Sequence, residues 1–361
     1  MRSGLFFVPH SGTCVPNIAP RDNPGALIVN NNWLIGLPKA ELHLHIEGTL
    51  TPEQQFELAK RNGITLAYDS AESLRAAYEF DDLSAFLALY YQGMDVLITR
   101  DDFYDLAMAY FERAASDGVR HADISFDPQA HLARGVALET CFDGLLTAMR
   151  DARAQFDITS ALIMSFMRDR DADEAYDVLE QAAPWYGEIA AIGLDSAEVG
   201  NPPEKFRHVF ARAAELGLPR VAHAGEEGGP DYVAGALDIL DVCRIDHGVR
   251  AMEDDALVKR LRDSQMPLTV CPLSNVYLKG VARLEDHNLP AMIAAGLNVN
   301  INSDDPAYFG GGMVNNFAAC VAAFDWDQAT CRHVAANGLR DGFMPAERRD
   351  TLLAELAAYT D

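Results

Sequence analysis

The sequence predicts an α/β chain folded as a (β/α)8 barrel, a TIM barrel, with an extra group of helices inserted after the first strand. Two observations favour this fold. Eight short apolar or β-branched runs are spread along the 361 residues, and stretches with helical periodicity separate them. Strands that alternate with helices form parallel βαβ units. Eight such units in one chain favour a closed barrel over an open doubly wound sheet.

The predicted strands and helices follow one another in a regular order. The stretch Glu204–Leu216 is typical of the helices, because Phe206, Val209, Phe210 and Ala213 recur at i, i+3, i+4 and i+7. The eight predicted strands are Lys39–His45, Val119–Phe126, Thr159–Phe166, Ile189–Ser196, Pro219–Ala224, Cys243–Val249, Met266–Cys271 and Leu297–Asn302.

The interval from residue 46 to residue 118 is far longer than one crossover helix requires. It contains four helix-compatible stretches, Pro52–Asn62, Ala71–Ala77, Leu83–Leu97 and Asp102–Asp117. Active sites of such barrels lie at the carboxyl ends of the strands, where this insertion begins. We therefore expect the inserted helices to act as a lid.

The sequence predicts one domain, residues 33–361, because no repeat or Pro/Gly-rich linker divides the chain. Residues 1–32 are interpreted as an N-terminal extension without an assigned role. The short apolar run near its start is broken by prolines and is too brief for the core of a signal peptide.

The charge balance restricts the partners. The chain has 29 Lys and Arg against 54 Asp and Glu, a formal net charge of −25. Such a surface repels nucleic acids and anionic membranes, and a small-molecule ligand is expected instead. No apolar run is long enough for a membrane span. The six cysteines form no CxxC pair, which is typical of reduced thiols in the cytoplasm. The oligomeric state is not predicted.

The first predicted strand carries an alternating motif, Glu41–Glu47 (ELHLHIE). Side chains alternate between the two faces of a strand, so His43 and His45 share one face, about 6.5 Å apart. Inside a barrel both imidazoles could bind one metal ion. For this motif alone, an edge strand with a solvated polar face is the alternative.

Histidines and acids also follow three other predicted strands. His223 and Glu226 follow the fifth, His247 ends the sixth, and Asp304 and Asp305 follow the eighth. These are the strand ends at which barrel enzymes place catalytic residues. Their concentration there favours an active site over a chance distribution of surface charges.

These residue types suit metal-assisted hydrolysis. Three imidazoles and one carboxylate fit Zn²⁺, and Fe²⁺ or Mn²⁺ would accept the same ligands. Such a metal lowers the pKa of a bound water to about 7. Of the consecutive acids Asp304 and Asp305, one can bind metal while the other faces substrate; a helix-capping loop is the alternative. Gly225 would let the backbone approach a ligand closely.

Five motifs resemble one family. KAELHLHIEGTL, HAGEE, RIDHGV, CPLSNV and NSDDPAYF occur in order from about residue 36 to the C-terminus. Together they are similar to the adenosine/adenine deaminase family of metal-dependent aminohydrolases. The resemblance implies a (β/α)8 barrel that replaces the 6-amino group of a purine by oxygen, through a zinc-activated hydroxide.

The resemblance also implies a role for each site residue. Glu226 would carry a proton to purine N1, His247 would orient the metal hydroxide, and Asp305 would hydrogen-bond N7. Attack at C6 places electrons on N1, so the carboxyl group beside N1 must be protonated, a state that burial favours. The Zn²⁺ ligands would be His43, His45, His223 and Asp304.

The resemblance favours free adenine as the substrate. Nucleoside-specific members typically carry DLAGDE where this chain has Asp195–Gly200 (DSAEVG), so Glu198 replaces a glycine. Its carboxylate could accept the N9–H of adenine, although a helix cap is the alternative. The segments Phe126–His131 and Gly193–Phe206 resemble the microbial adenine deaminase branch. We therefore expect deamination of adenine to hypoxanthine and ammonia in purine salvage; adenosine, N6-substituted adenines and other aminopurines remain alternatives.

Overall fold

Eight strands alternate with helices along the chain, as the sequence pattern predicts. The structure is a computed structural model, and it describes residues 29–360. Each strand overlaps one of the eight predicted runs. The strands, labelled β1–β8, are Lys39–Glu41, Val119–Phe126, Thr159–Met167, Ile189–Asp195, Val221–Ala224, Arg244–His247, Leu268–Val270 and Val299–Ile301.

The strands form a closed ring. Strands β1–β4 make one parallel four-stranded sheet and β5–β8 make another. At one seam, the N–H of Ile192 in β4 donates to the carbonyl of Pro219, 2.9 Å away, just before β5. At the other, Asp304 N–H donates to the His43 carbonyl and His45 N–H donates to the Asp304 carbonyl, both at 3.1 Å. The predicted (β/α)8 barrel is therefore confirmed.

Strand β1 is shorter than predicted because a side chain replaces its backbone partner. Oδ1 of Asn302, just after β8, accepts the N–H groups of Leu42 at 2.6 Å and His43 at 3.2 Å. The predicted alternation still holds beyond this point. Leu42 and Leu44 are fully buried in the main hydrophobic core, whereas His43 and His45 lie inside the barrel beside each other.

The helix ends follow local sequence signals. For example, α2 begins after Thr51, which forms a capping box with Gln54, and ends at Gly63, whose φ is 67°. The described helices, α1–α16, are Asn31–Gly36, Pro52–Asn62, Ala71–Ala76, Leu83–Gly93, Arg100–Ser116, Pro128–Leu132, Leu138–Phe156, Ala172–Gln181, Arg207–Glu215, Pro230–Asp238, Asp255–Ser264, Pro272–Tyr277, Leu289–Ala294, Met313–Phe324, Gln328–Asp341 and Ala346–Ala358.

Helices α2–α5 form the predicted insertion, with two local differences. The predicted stretch Leu83–Leu97 ends as a helix at Gly93, and a short 3₁₀ turn follows. Helix α5 begins at Arg100, ahead of the predicted start at Asp102, because Thr99 forms a capping box with Asp102.

Helix α4 lies over the carboxyl ends of the strands. Its Phe86 and Tyr90 pack with Tyr308 and Phe309, which follow β8, in a hydrophobic cluster separate from the main core. The ring centroids of Phe86 and Phe309 are 4.6 Å apart. The insertion therefore covers the end of the barrel at which the sequence predicts a lid.

The described chain begins inside the predicted N-terminal extension. Helix α1 crosses the predicted boundary between residues 32 and 33, and Val29 and Trp33 are buried in the main core. The hydroxyl of Tyr359 donates to the Trp33 carbonyl at 2.8 Å, which joins helix α1 to the end of the described chain. Residues 1–28 of the predicted extension lie outside the described residues. Within 29–360, no helix has the length and apolar character needed to cross a membrane.

Candidate active site

The carboxyl ends of β1, β5 and β8 bring three histidines and one aspartate together. Nε2 of His43 lies 3.1 Å from Nε2 of His223 and 3.2 Å from Oδ1 of Asp304. Nε2 of His45 lies 3.2 Å from the same His223 nitrogen and 3.5 Å from the same Asp304 oxygen. All four residues are buried. They are the four for which the resemblance implies metal binding, and we call them the His/Asp cluster.

The donor atoms of the His/Asp cluster lie close enough together to hold one metal ion. Zinc binds imidazole nitrogen at about 2.0–2.1 Å, so donor atoms bound to one ion lie about 3–4 Å apart. Hydrogen bonding alone explains the cluster poorly, because Nε2 of His223 faces two other Nε2 atoms and carries at most one proton. The chemistry of the donor set, three nitrogens and one oxygen, suits Zn²⁺, Fe²⁺ or Mn²⁺.

Two further carboxylates stand behind the outer ring nitrogens of these histidines. Oδ1 of Asp246 lies 3.9 Å from Nδ1 of His43, and its Oδ2 lies 3.8 Å from Nδ1 of His223. Oδ2 of Asp195 lies 3.6 Å from Nδ1 of His45. The carboxylate of Asp246 reaches His43 through Thr269, because Nδ1 of His43 lies 3.1 Å from the Thr269 hydroxyl, which donates to Oδ1 of Asp246 at 2.7 Å. Sequence analysis assigned neither aspartate, although each lies at the carboxyl end of a strand.

His247 lies between the His/Asp cluster and Glu226. Its Nε2 is 3.5 Å from Oε1 of Glu226 and 3.9 Å from Oδ2 of Asp304. Burial, with the nearby His43, lowers the pKa of His247 to about 3, so its ring is neutral at physiological pH. His247 and Asp304 have φ values of 66° and 65°. Left-handed backbone is uncommon for residues other than glycine and clusters at functional sites.

Two acids beside the cluster favour the protonated state. Burial raises the pKa of Glu226 well above its usual range, and the negative charges of Asp304 and Glu198 raise it further. Burial and Asp304 likewise raise the pKa of Asp305. Gly48 permits the position of Asp305, because a Cβ at Gly48 would lie 1.8 Å from Oδ1 of Asp305. Both acids can therefore act as hydrogen-bond donors to a ligand.

The carboxylate of Glu198, which the sequence analysis predicts to accept a hydrogen bond from the substrate, accepts four backbone N–H groups in the structure. The residue is fully buried. Its Oε1 accepts the N–H of Gly225 at 2.8 Å. Its Oε2 accepts the N–H groups of Glu226, Glu227 and Gly228 at 3.0, 2.9 and 2.8 Å. Glu198 therefore holds the loop that carries Glu226.

Gly225 is likewise occupied by the protein. Its N–H donates to Glu198, and its carbonyl accepts the N–H of Arg250 at 2.9 Å. Its φ is 75°, and an added Cβ would lie 2.6 Å from Cγ2 of Val233. The turn and the packing on Val233 therefore explain the glycine at this position.

A cavity lies between the His/Asp cluster and helix α4. Its lid side is mostly apolar and aromatic, and its barrel side is polar, a combination that suits a flat heteroaromatic ligand. The lining residues are His45, Leu83, Phe86, Leu87, Tyr90, Tyr91, Asp127, Asp195, Ser196, His223, Glu226, His247, Leu278, Asp304 and Asp305.

A (β/α)8 barrel with buried histidines and an aspartate at the carboxyl ends of its strands has the architecture of a metal-dependent barrel enzyme. Comparison with known proteins narrows this class. The family model described as adenosine deaminase matches residues 38–359, and the chain belongs to the adenosine deaminase family.

Individual relatives are similar over most of their length. An adenine deaminase from Streptomyces coelicolor is 55% identical over 328 residues, which cover 90% of this chain and 96% of the relative. The crystal structure of an adenine deaminase from Arthrobacter aurescens, also 55% identical, matches with a TM-score of 0.88 and covers 89% of this chain and 98% of that one. An amidohydrolase from Burkholderia ambifaria, solved with bound Zn, is 27% identical with a TM-score of 0.82, covering 93% and 97%.

Proposed function

We propose that this protein hydrolyses adenine to hypoxanthine and ammonia, a reaction of purine salvage. The observation that carries the proposal is the 55% identity, over 90% of this chain, to a protein named adenine deaminase. The cavity supports it independently, because two buried acids with raised pKa values and a histidine with a lowered pKa lie around one His/Asp cluster.

The His/Asp cluster is proposed to hold one zinc ion, with Fe²⁺ or Mn²⁺ as alternatives. His43, His45, His223 and Asp304 would be the ligands, as their 3.1–3.5 Å separations suggest. When bound, such an ion makes a nucleophilic hydroxide available at neutral pH.

The residues around the cluster would move protons and orient the purine. Glu226, protonated, would donate to N1 as electrons arrive there from attack at C6. His247, neutral and 3.5 Å from Glu226, would orient the attacking hydroxide by a hydrogen bond. Asp305, protonated, would donate a hydrogen bond to N7. A second proton transfer would then release the amino group as ammonia.

The test is a substrate panel of adenine, adenosine, N6-methyladenine and other aminopurines, with the metal content measured in the same sample. We expect adenine to be converted to hypoxanthine with one ammonia released and with the highest kcat/KM. If kcat/KM is higher for adenosine or for an N6-substituted adenine, that compound and not adenine is the preferred substrate. Full activity after removal of the metal would contradict the metal-dependent reaction.

A further inference from the structure

The cavity has a second polar wall that the proposed reaction does not use. The carboxyl ends of β2 and β4 contribute Asp127, Asp195 and Ser196 to its lining. Glu226, Asp304 and Asp305 come from the other half of the barrel, after β5 and β8. A purine whose C6, N1 and N7 face those three acids therefore turns its opposite edge, which carries N3 and N9, toward the ends of β2 and β4.

Asp127 has a carboxyl oxygen on this side of the cavity that is free to accept a hydrogen bond. The residue is 2% exposed, and its Oδ1 is buried without a hydrogen-bond partner. A buried carboxyl oxygen without a partner is unfavourable, which points to a ligand that supplies the missing donor. Both oxygens of the neighbouring Asp195 also lack a hydrogen-bond partner, but its Oδ2 lies 3.6 Å from Nδ1 of the metal-binding His45, so Asp195 belongs to the surroundings of the His/Asp cluster.

The backbone around Asp127 is fixed by a neighbouring acid. Oε1 of Glu47 accepts the N–H of Asp127 at 3.1 Å and lies 2.8 Å from Nε2 of His131. Pro128 then starts helix α6. Asp127 is therefore held in place through its main chain, while its side-chain Oδ1 is left available.

The lid closes the cavity beside Asp127. The hydroxyl of Tyr91 in α4 donates to Oγ of Ser196 at 3.0 Å, which joins the lid to the end of β4. Tyr90 and Tyr91 line the cavity together with Asp127 and Ser196.

We propose that Asp127 is the residue that selects the free base: its Oδ1 accepts the hydrogen bond from N9–H of adenine. This inference rests on the proposed function and names the residue that sets its substrate range. Adenosine carries ribose at N9 in place of that proton. A site built to receive an N–H group rejects the analogue that lacks it by as much as about 10⁴-fold, because the buried acceptor is left unpaired.

The experiment compares kcat/KM for adenine and for 9-methyladenine, which differ at N9 alone. The wild type should prefer adenine by at least about 1,000-fold. Asp127→Ala should lower kcat/KM for adenine by about 100-fold or more and leave 9-methyladenine unchanged or improved, so that the preference falls at least 100-fold. Asp127→Asn keeps a carbonyl acceptor and should retain adenine activity within about tenfold. Asp169→Ala, an exposed aspartate after β3, is the matched control and should keep the wild-type preference.

The outcomes separate this inference from the proposed function. If the wild type does not deaminate adenine, the proposed function fails. If it does, but deaminates 9-methyladenine comparably, the role of Asp127 is overturned without any variant. If Asp127→Ala lowers kcat/KM equally for both substrates while the metal content is unchanged, Asp127 has a structural role and does not select the free base.

Discussion

The backbone N–H of Glu226 donates a 3.0 Å hydrogen bond to the carboxylate of Glu198, so one buried acid holds the loop that carries another. Gly225, Glu227 and Gly228 donate to the same carboxylate. Four convergent N–H groups make a strong anion site, as they do at helix N-termini. The position of the proposed proton donor therefore depends on a residue 28 positions earlier in the chain.

Replacing Glu198 by Gln should weaken this loop. The amide keeps one acceptor oxygen and turns an NH₂ group toward backbone donors, so charge-assisted hydrogen bonds worth about 1.5–3 kcal/mol each are lost. We expect kcat to fall by about 10- to 100-fold, with metal content unchanged. Because Glu226 moves, the pH profile of kcat should shift as well. Glu204→Gln changes an exposed residue in the same segment and should leave kcat and its pH profile unchanged. A pH profile of kcat in Glu198→Gln identical to that of the wild type would contradict the positioning role.

Glu226→Gln should remove the proton donor while keeping the shape of the side chain. General acid–base catalysis contributes about 10²–10⁴-fold, so kcat should fall within or beyond that range. Purine binding, measured by calorimetry, and metal content should persist. Glu227→Gln is the matched control from the same loop, and its kcat should remain near the wild-type value. Wild-type turnover in Glu226→Gln would remove this residue from the reaction.

The raised pKa of Glu226 has a definite consequence for the pH dependence. The free enzyme must carry a proton on Glu226, and burial raises this pKa well above the usual range. We therefore expect kcat/KM to be lost as pH rises through the raised pKa, by about tenfold per pH unit. Metal content should be measured at each pH to exclude loss of the ion. A kcat/KM that climbs steadily on the alkaline side would show that the reactive form of Glu226 is the carboxylate.

Asp246→Asn should weaken metal binding without removing a ligand. The hydroxyl of Thr269 donates to Oδ1 of Asp246 at 2.7 Å and lies 3.1 Å from Nδ1 of His43, so Asp246 supports His43 through Thr269; its Oδ2 also lies 3.8 Å from Nδ1 of His223. Loss of such a partner typically costs about 10–100-fold in metal affinity. Competition with a chelator measures the effect, and Asp255→Asn, an exposed aspartate in α11, is the control. Equal affinities for the two variants would show that Asp246 does not support the cluster.

Local patterns in the sequence predicted much of the fold and of the cluster. The alternation through Glu41–Glu47 places Leu42 and Leu44 in the core and His43 and His45 inside the barrel, because side chains alternate on an extended chain. The strand runs likewise predicted the position of each barrel strand. These features depend on neighbouring residues, which a sequence displays directly.

Contacts between distant segments could not be predicted in this way. Glu198 looked like a substrate contact because it replaces a glycine, but its four donors come from the loop after β5. Asp246 and Asp195 acquire their roles only when the barrel closes and brings His43, His223 and His45 against them.

The most direct test of the proposed reaction is the turnover of adenine in water labelled with a heavy isotope of oxygen, followed by mass spectrometry of the product. We expect each hypoxanthine to carry one labelled oxygen at C6 and to be matched by one released ammonia, in a sample with one metal ion per chain. Unchanged adenine, or hypoxanthine formed at the same rate by the metal-free protein, would contradict metal-dependent hydrolysis of adenine.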